Sequence, residues 1–121
     1  MSFENFQLLP KQKPAPADAN TNRRFRLVSQ IEKQIGFASS DADRKRRGQW
    51  FWKTGDGSYV LSVRYGRREI ELSKGKFAVS CADGGAIVTA LQEVKRVALD
   101  GGFDDQLTRI SGEIRRSFKK D

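Results

Sequence analysis

Residues 49–66 read Gln49-Trp50-Phe51-Trp52-Lys53-Thr54-Gly55-Asp56-Gly57-Ser58-Tyr59-Val60-Leu61-Ser62-Val63-Arg64-Tyr65-Gly66, and this stretch decides the fold class. Its apolar residues recur at every second position, the spacing that puts alternate side chains on opposite faces of a strand. Trp50 and Trp52 fall on one side with Phe51 and Lys53 on the other, and Tyr59, Leu61, Val63 and Tyr65 alternate with Val60, Ser62 and Arg64. Gly55-Asp56-Gly57 separates the two runs with residues that tolerate the positive φ of hairpin turns.

The alternation continues outward. Gly66-Arg67 makes a second tight turn, Ile70 and Leu72 oppose Glu69 and Glu71, Lys74-Gly75 turns again, and Phe77, Val79 and Cys81 point inward. Strands over 49–53, 58–65, 68–72 and 76–81, joined by short turns, predict an antiparallel meander. On either side the period lengthens to that of a helix. Asn22 is the expected cap of a helix over 23–37 whose stripe is Phe25, Val28, Ile31 and Ile35, with Leu27 alongside. Asp83-Gly84-Gly85 opens a second helix to about residue 99, with Ile87, Leu91, Val94 and Ala98 in one stripe. A third begins near Phe103 and aligns Leu107, Ile110, Ile114 and Phe118. Asp104 and Asp105 in its first turn and Arg115, Arg116, Lys119 and Lys120 in its last suit the helix dipole. The predicted fold class is α+β: a four-stranded antiparallel meander with one helix before it and two after it, the helices packed on one sheet face.

Residues 1–21 read as a flexible tail and residues 22–121 as a single domain. All three prolines (Pro10, Pro14, Pro16) fall in the tail, where a fixed φ and a missing N–H favour extended chain. Phe3, Phe6, Leu8 and Leu9 form a possible short apolar anchor within it.

The 121 residues include 23 Lys and Arg against 15 Asp and Glu, a formal net charge of +8. Residues 44–76 alone hold ten basic and three acidic residues, while the other 88 residues hold 13 and 12. The surplus thus belongs to the predicted sheet and the loop entering it. Such a field selects an anionic partner, nucleic acid first. Candidate phosphate contacts are Lys53, Arg64, Lys74 and Lys76, assisted by Arg67, Arg68 and the loop Arg44, Lys45, Arg46 and Arg47; candidate stacking rings are Trp50, Phe51, Trp52 and Tyr65. Flat rings among cations suit unstacked bases, so the preferred partner is single-stranded. A basic sheet could equally occupy an acidic groove on another protein, and the amphipathic third helix could pair across a two-fold to make a homodimer.

Catalysis is not expected. There is no histidine and one cysteine, Cys81, which removes the commonest acid–base group, the commonest metal ligand and any internal disulfide. The best acidic constellation is Asp56, Glu69 and Glu71 with Lys74 and Lys76 nearby, and its carboxylates alternate with Ile70 and Leu72 as a half-exposed strand requires. No metal or cofactor is implied. No apolar run approaches the roughly 20 residues of a membrane span, and the first ten residues lack the basic start of a secretory signal, so a cytoplasmic location is expected.

The segments Trp50-Phe51-Trp52, residues 56–66 and Glu71-Leu72-Ser73-Lys74-Gly75-Lys76 resemble a domain-of-unknown-function family of bacteria and their phages, over roughly residues 23–118. That resemblance implies domain limits and no activity. The order of four strands then a helix over 49–99, with Lys74-Gly75-Lys76-Phe77-Ala78-Val79 leading into the helix, is similar to the fold of the transcriptional coactivator positive cofactor four. The likeness implies a dimer that binds single-stranded DNA on a basic, aromatic-bearing sheet. The helix before the sheet and the long one after it depart from that pattern.

Overall fold

The computed structural model describes residues 4–10 and 18–118, and for Ser117 and Phe118 the backbone alone. Phe3, Pro14 and Pro16 of the expected tail, and Lys119 and Lys120 of the last helix, lie outside the described residues. Of the expected anchor, Phe6, Leu8 and Leu9 are exposed.

The first helix, α1 (Ala19–Asp41), starts earlier than the sequence suggested. Asp18, in extended conformation, is its cap: its carboxylate accepts from Thr21 N at 2.8 Å, satisfying one of the N–H groups a helix start leaves open. Asn22 is already helical, its N–H donating to Asp18 O at 3.1 Å. The buried face is also rotated from the expected stripe. Leu27, Ile31, Gln34 and Ala38 face inward, and Phe25, about 200° around the helix from Leu27, is exposed.

The strands are β1 (Phe51–Lys53), β2 (Tyr59–Ser62), β3 (Arg64–Tyr65), β4 (Arg68–Glu69) and β5 (Ala78–Cys81). They do not make the predicted four-stranded meander. One sheet has three strands in the order β1-β2-β5, and β3 and β4 form a separate two-stranded hairpin. The long second strand is interrupted at Val63, the third segment shrinks to two paired residues, and the fourth pairs with the second. The reason lies in where the third segment sends its backbone groups. Ile70 N donates to Val63 O at 2.8 Å and Leu72 N to Lys76 O at 2.9 Å. Between them, both backbone groups of Glu71 are taken by a side chain: Gln106 Oε1 accepts from Glu71 N at 2.8 Å and Gln106 Nε2 donates to Glu71 O at 2.7 Å. With its hydrogen bonds met by a turn and a glutamine, the segment builds no continuous strand, and β5 takes the edge of β2. At the β3–β4 turn Gly66 has φ 64°, a conformation that side-chain-bearing residues rarely adopt.

Register fixes the sheet faces. Phe51 pairs with Leu61 and Leu61 with Val79; Tyr59 pairs with Cys81. Phe51, Leu61, Tyr59 and Cys81 are buried, whereas Trp52, Val60 and Ser80, one register step along, form the open side. Helix α2 (Gly84–Leu99), capped by Asp83 with Ile87, Leu91, Val94 and Ala98 buried, packs against β2 and β5. Helix α1 packs on α2 and on α3 (Asp104–Phe118). Between α2 and α3 the chain passes so close to Val97 that a Cβ on Gly102 would sit 2.5 Å from Val97 Cγ1. The Arg24–Asp104 ion pair ties α1 to α3, with Arg24 Nε donating to Asp104 Oδ1 at 2.9 Å.

Gln34 is the buried polar side chain that positions the sheet. Its Nε2 donates to Gly48 O and its Oε1 accepts from Trp50 N, both at 2.9 Å. One helical amide therefore satisfies the two backbone groups that flank the entry into β1, just as Gln106 does at Glu71.

Candidate nucleic-acid interface

The fourteen residues singled out from sequence do not come together as one surface. Phe51 is 2% exposed, part of the core, and is unavailable for stacking. Its neighbour Trp52 is 47% exposed on the open sheet side. Trp50 and Tyr65 are buried. The open side of the three-stranded sheet carries Trp52, Val60 and Ser80, none of them a cation.

Several of the expected phosphate contacts are already committed within the chain. Arg46 closes the C-terminal end of α1: its Nη1 donates to Phe37 O at 3.1 Å and Asp41 O at 2.9 Å, its Nη2 donates to Ser40 Oγ at 2.8 Å, and its guanidinium lies 5.0 Å from the Phe37 ring centre. Lys53 is 3.5 Å from Asp43 Oδ1. The Tyr59 hydroxyl donates to the same carboxylate, and that bond first, then the Lys53 charge, holds Asp43 below the usual carboxylate range. Arg68 lies 3.6 Å from Glu113, a carboxylate brought in by α3. Arg44, Lys45, Arg47, Arg67, Lys74 and Lys76 are exposed and, among the described residues, make no ion pair, but they sit on three separate turns.

Of the acidic residues weighed for catalysis, Asp56 and Glu71 accept hydrogen bonds in their own turns. Asp56 accepts from the Thr54 and Ser58 hydroxyls and from Ser58 N in the β1–β2 turn, and those bonds lower its carboxyl to about 2. Glu71 Oε2 accepts from Gly75 N at 3.4 Å. Among the described residues no three His, Cys, Asp or Glu side chains are grouped to hold a metal ion, and no helix is long and apolar enough to cross a membrane.

The structure instead assembles cations from three distant segments. An open groove of about 1200 Å³ runs between the N-terminal half of α1, the β3–β4 hairpin and the end of α3. Arg23 and Arg26 enter it from α1, Arg64 from β3 and Arg115 from α3. No carboxylate lines it among the described residues. Its apolar surface includes Phe25, 59% exposed, and the recessed Trp50 and Tyr65. Acids flank it: Asp104, bonded to Arg24 and also under the Arg23 charge, is held below its ordinary value of 3.8, and Glu69 lies 4.0 Å from Arg64.

Two of the groove arginines have particular surroundings. Arg23 is oriented by donating to Asn20 Oδ1 at 3.0 Å and to Thr108 Oγ1 at 3.3 Å, so its guanidinium is braced by α3. Among the described residues, Arg64 Nε and Ser62 Oγ, two residues before it, are buried with no hydrogen-bond partner. The Arg64 side chain as a whole is 41% exposed and lines the groove.

Of the groove, the sequence reading had named Arg64, Tyr65 and Trp50. It missed Phe25, Arg23 and Arg26, and gave Arg115 to the helix dipole. The signal was present: residues 19–31 contain three arginines and no acid, with Arg23 and Arg26 three apart on one helical face. No protein-family profile, curated protein or solved structure matches the chain.

Proposed function

We propose that this protein binds nucleic acid without catalysing a reaction on it, and that the α1–β3–α3 groove grips the phosphate backbone. The observation that carries this reading is the lining: four arginines contributed by three segments, with no carboxylate among the described lining residues and Glu69 4.0 Å from Arg64 at its edge. Cations brought together in this way repel one another unless an anion lies between them, and a folded chain normally intersperses acids where none is needed. Guanidinium forks match phosphate oxygens in a bidentate manner, which distinguishes an arginine site from a diffuse lysine surface.

A concave site also separates phosphate binding from mere attraction. Arg44, Lys45, Arg47, Arg67, Lys74 and Lys76, on exposed turns, would raise the rate of encounter with a polyanion, while the groove supplies the held contacts. The test is fluorescence polarisation of a labelled oligonucleotide at two salt concentrations, with polyglutamate as a competing polyanion. Binding that weakens steeply with salt and resists polyglutamate supports the reading, since carboxylate chains do not reproduce phosphate geometry. Failure to bind any oligonucleotide at low salt overturns it, and tight binding of polyglutamate would favour an acidic protein partner instead.

A further inference from the structure

We infer that the groove receives an unpaired base stacked on Phe25, so that its partner is a single strand and not a duplex; this rests on the phosphate-binding reading above. Among the described residues, Phe25 belongs neither to the core nor to the hydrophobic residues packed against it. It is 59% exposed in the middle of the first half of α1, on the side away from Leu27 and Ile31, which carry the core contacts of that turn. An exposed phenylalanine on an otherwise polar helix face gives up hydrophobic burial, and a leucine or lysine would serve the helix equally.

Its setting is specific. Arg23 and Arg26 are on the same groove wall, and the carboxamides and hydroxyl of Asn22, Gln30 and Ser29 line it as well. The wall thus offers three chemistries at one nucleotide's scale: guanidinium for phosphate, a flat ring for a base face, and neutral donors and acceptors for a base edge. In a duplex the base faces are covered by their neighbours. A ring set among phosphate-binding arginines therefore has a use only if the base is unstacked. Trp50 and Tyr65, recessed in the same groove at 6% and 8% exposure, shape its apolar floor and do not offer open faces.

The experiment compares the full chain with Phe25→Ala and Phe25→Trp, using a 12-nucleotide single strand and the duplex of the same sequence. Loss of one base stack predicts about 5- to 150-fold weaker binding of the single strand by Phe25→Ala. The dependence on salt and the affinity for duplex should stay as in the wild type, because no charge is removed. Phe25→Trp should restore the affinity, and its added indole emission should be quenched by the bound strand. Equal melting temperatures confirm that an exposed position was altered without unfolding. Unchanged single-strand affinity in Phe25→Ala, or equal losses for strand and duplex, overturns the inference. If Arg26→Ala/Arg115→Ala weakens binding in that case, the groove stands and only the stack fails; if that variant also binds like wild type, the phosphate-binding reading falls with it.

Discussion

Along residues 44–76 the basic residues are crowded in sequence and scattered in space; around the α1–β3–α3 groove they are scattered in sequence and gathered in space. In the first region Arg46 caps a helix, Lys53 and Arg68 meet carboxylates, and the exposed remainder ride on separate turns. In the second, Arg23, Arg26 and Arg115 have no ion pair among the described residues, and Arg64, the one cation common to both, lies 4.0 Å from Glu69. The lesson is that a surplus counted along the chain does not locate a binding surface. Folding brings carboxylates such as Glu113 into a basic stretch and brings Arg115 from far along the chain to the groove that Arg26 lines.

Breaking the comparison at its core gives the largest effect. Phe51, if it were a stacking ring of a basic sheet, would be replaceable at little loss of stability. Buried as it is, Phe51→Ala should destabilise the domain by about 3–5 kcal/mol, read as a large fall in the midpoint of chemical denaturation. A midpoint near that of the wild type would show that the side chain is not in the core.

The two glutamine clamps are the next place to press. Gln34→Ala strands Gly48 O and Trp50 N, and should lower stability by about 2–4 kcal/mol. It should also raise the hydrogen-exchange rate of the Trp50 amide. Unaltered exchange there would mean that the strand entry is held by something other than Gln34.

The tie between α1 and α3 responds to acid. Asp104, held below its ordinary value of 3.8 by Arg24, is ionised more readily in the folded chain than in the unfolded one. Its contribution is therefore complete above the unfolded value and is lost as pH falls below about 3.8 through the folded one. Asp104→Asn should flatten the acid limb of the stability curve while changing little near neutrality beyond the loss of one part-exposed ion pair, since such pairs contribute about 1 kcal/mol or less. An acid limb identical to the wild type would deny Asp104 that role.

Much of the architecture was legible beforehand, and the failures have physical causes. Helix α2 was read correctly in its cap and its stripe, because Asp83 and the positions of Ile87, Leu91, Val94 and Ala98 depend on local chemistry alone. The period-two alternation located the strands but not their partners. Pairing of the third segment was decided by Gln106, a side chain 35 positions away, and no periodicity reveals that a glutamine will act as a strand. The same limit explains the rotated stripe of α1. Leu27 and Gln34 face inward because α2 and α3 pack on that side, while Phe25 and Ile31 looked equivalent on a helical wheel drawn without neighbours. Phe51 and Trp52 alternate cleanly, but which of them was inside depended on the side from which the helices approached. The groove was least visible of all, for its four arginines meet only in three dimensions.

Groove and turns are told apart by the salt dependence of two double variants measured side by side on the same single strand. Arg26→Ala/Arg115→Ala removes two groove cations, and Lys74→Ala/Lys76→Ala removes two exposed ones. Each lost phosphate contact should flatten the slope of log affinity against log salt by about 0.7. We expect the groove variant to lose about 1.4 from that slope and the turn variant less than half as much. A turn variant that flattens the slope more than the groove variant would return the binding surface to the stretch where the sequence is most basic.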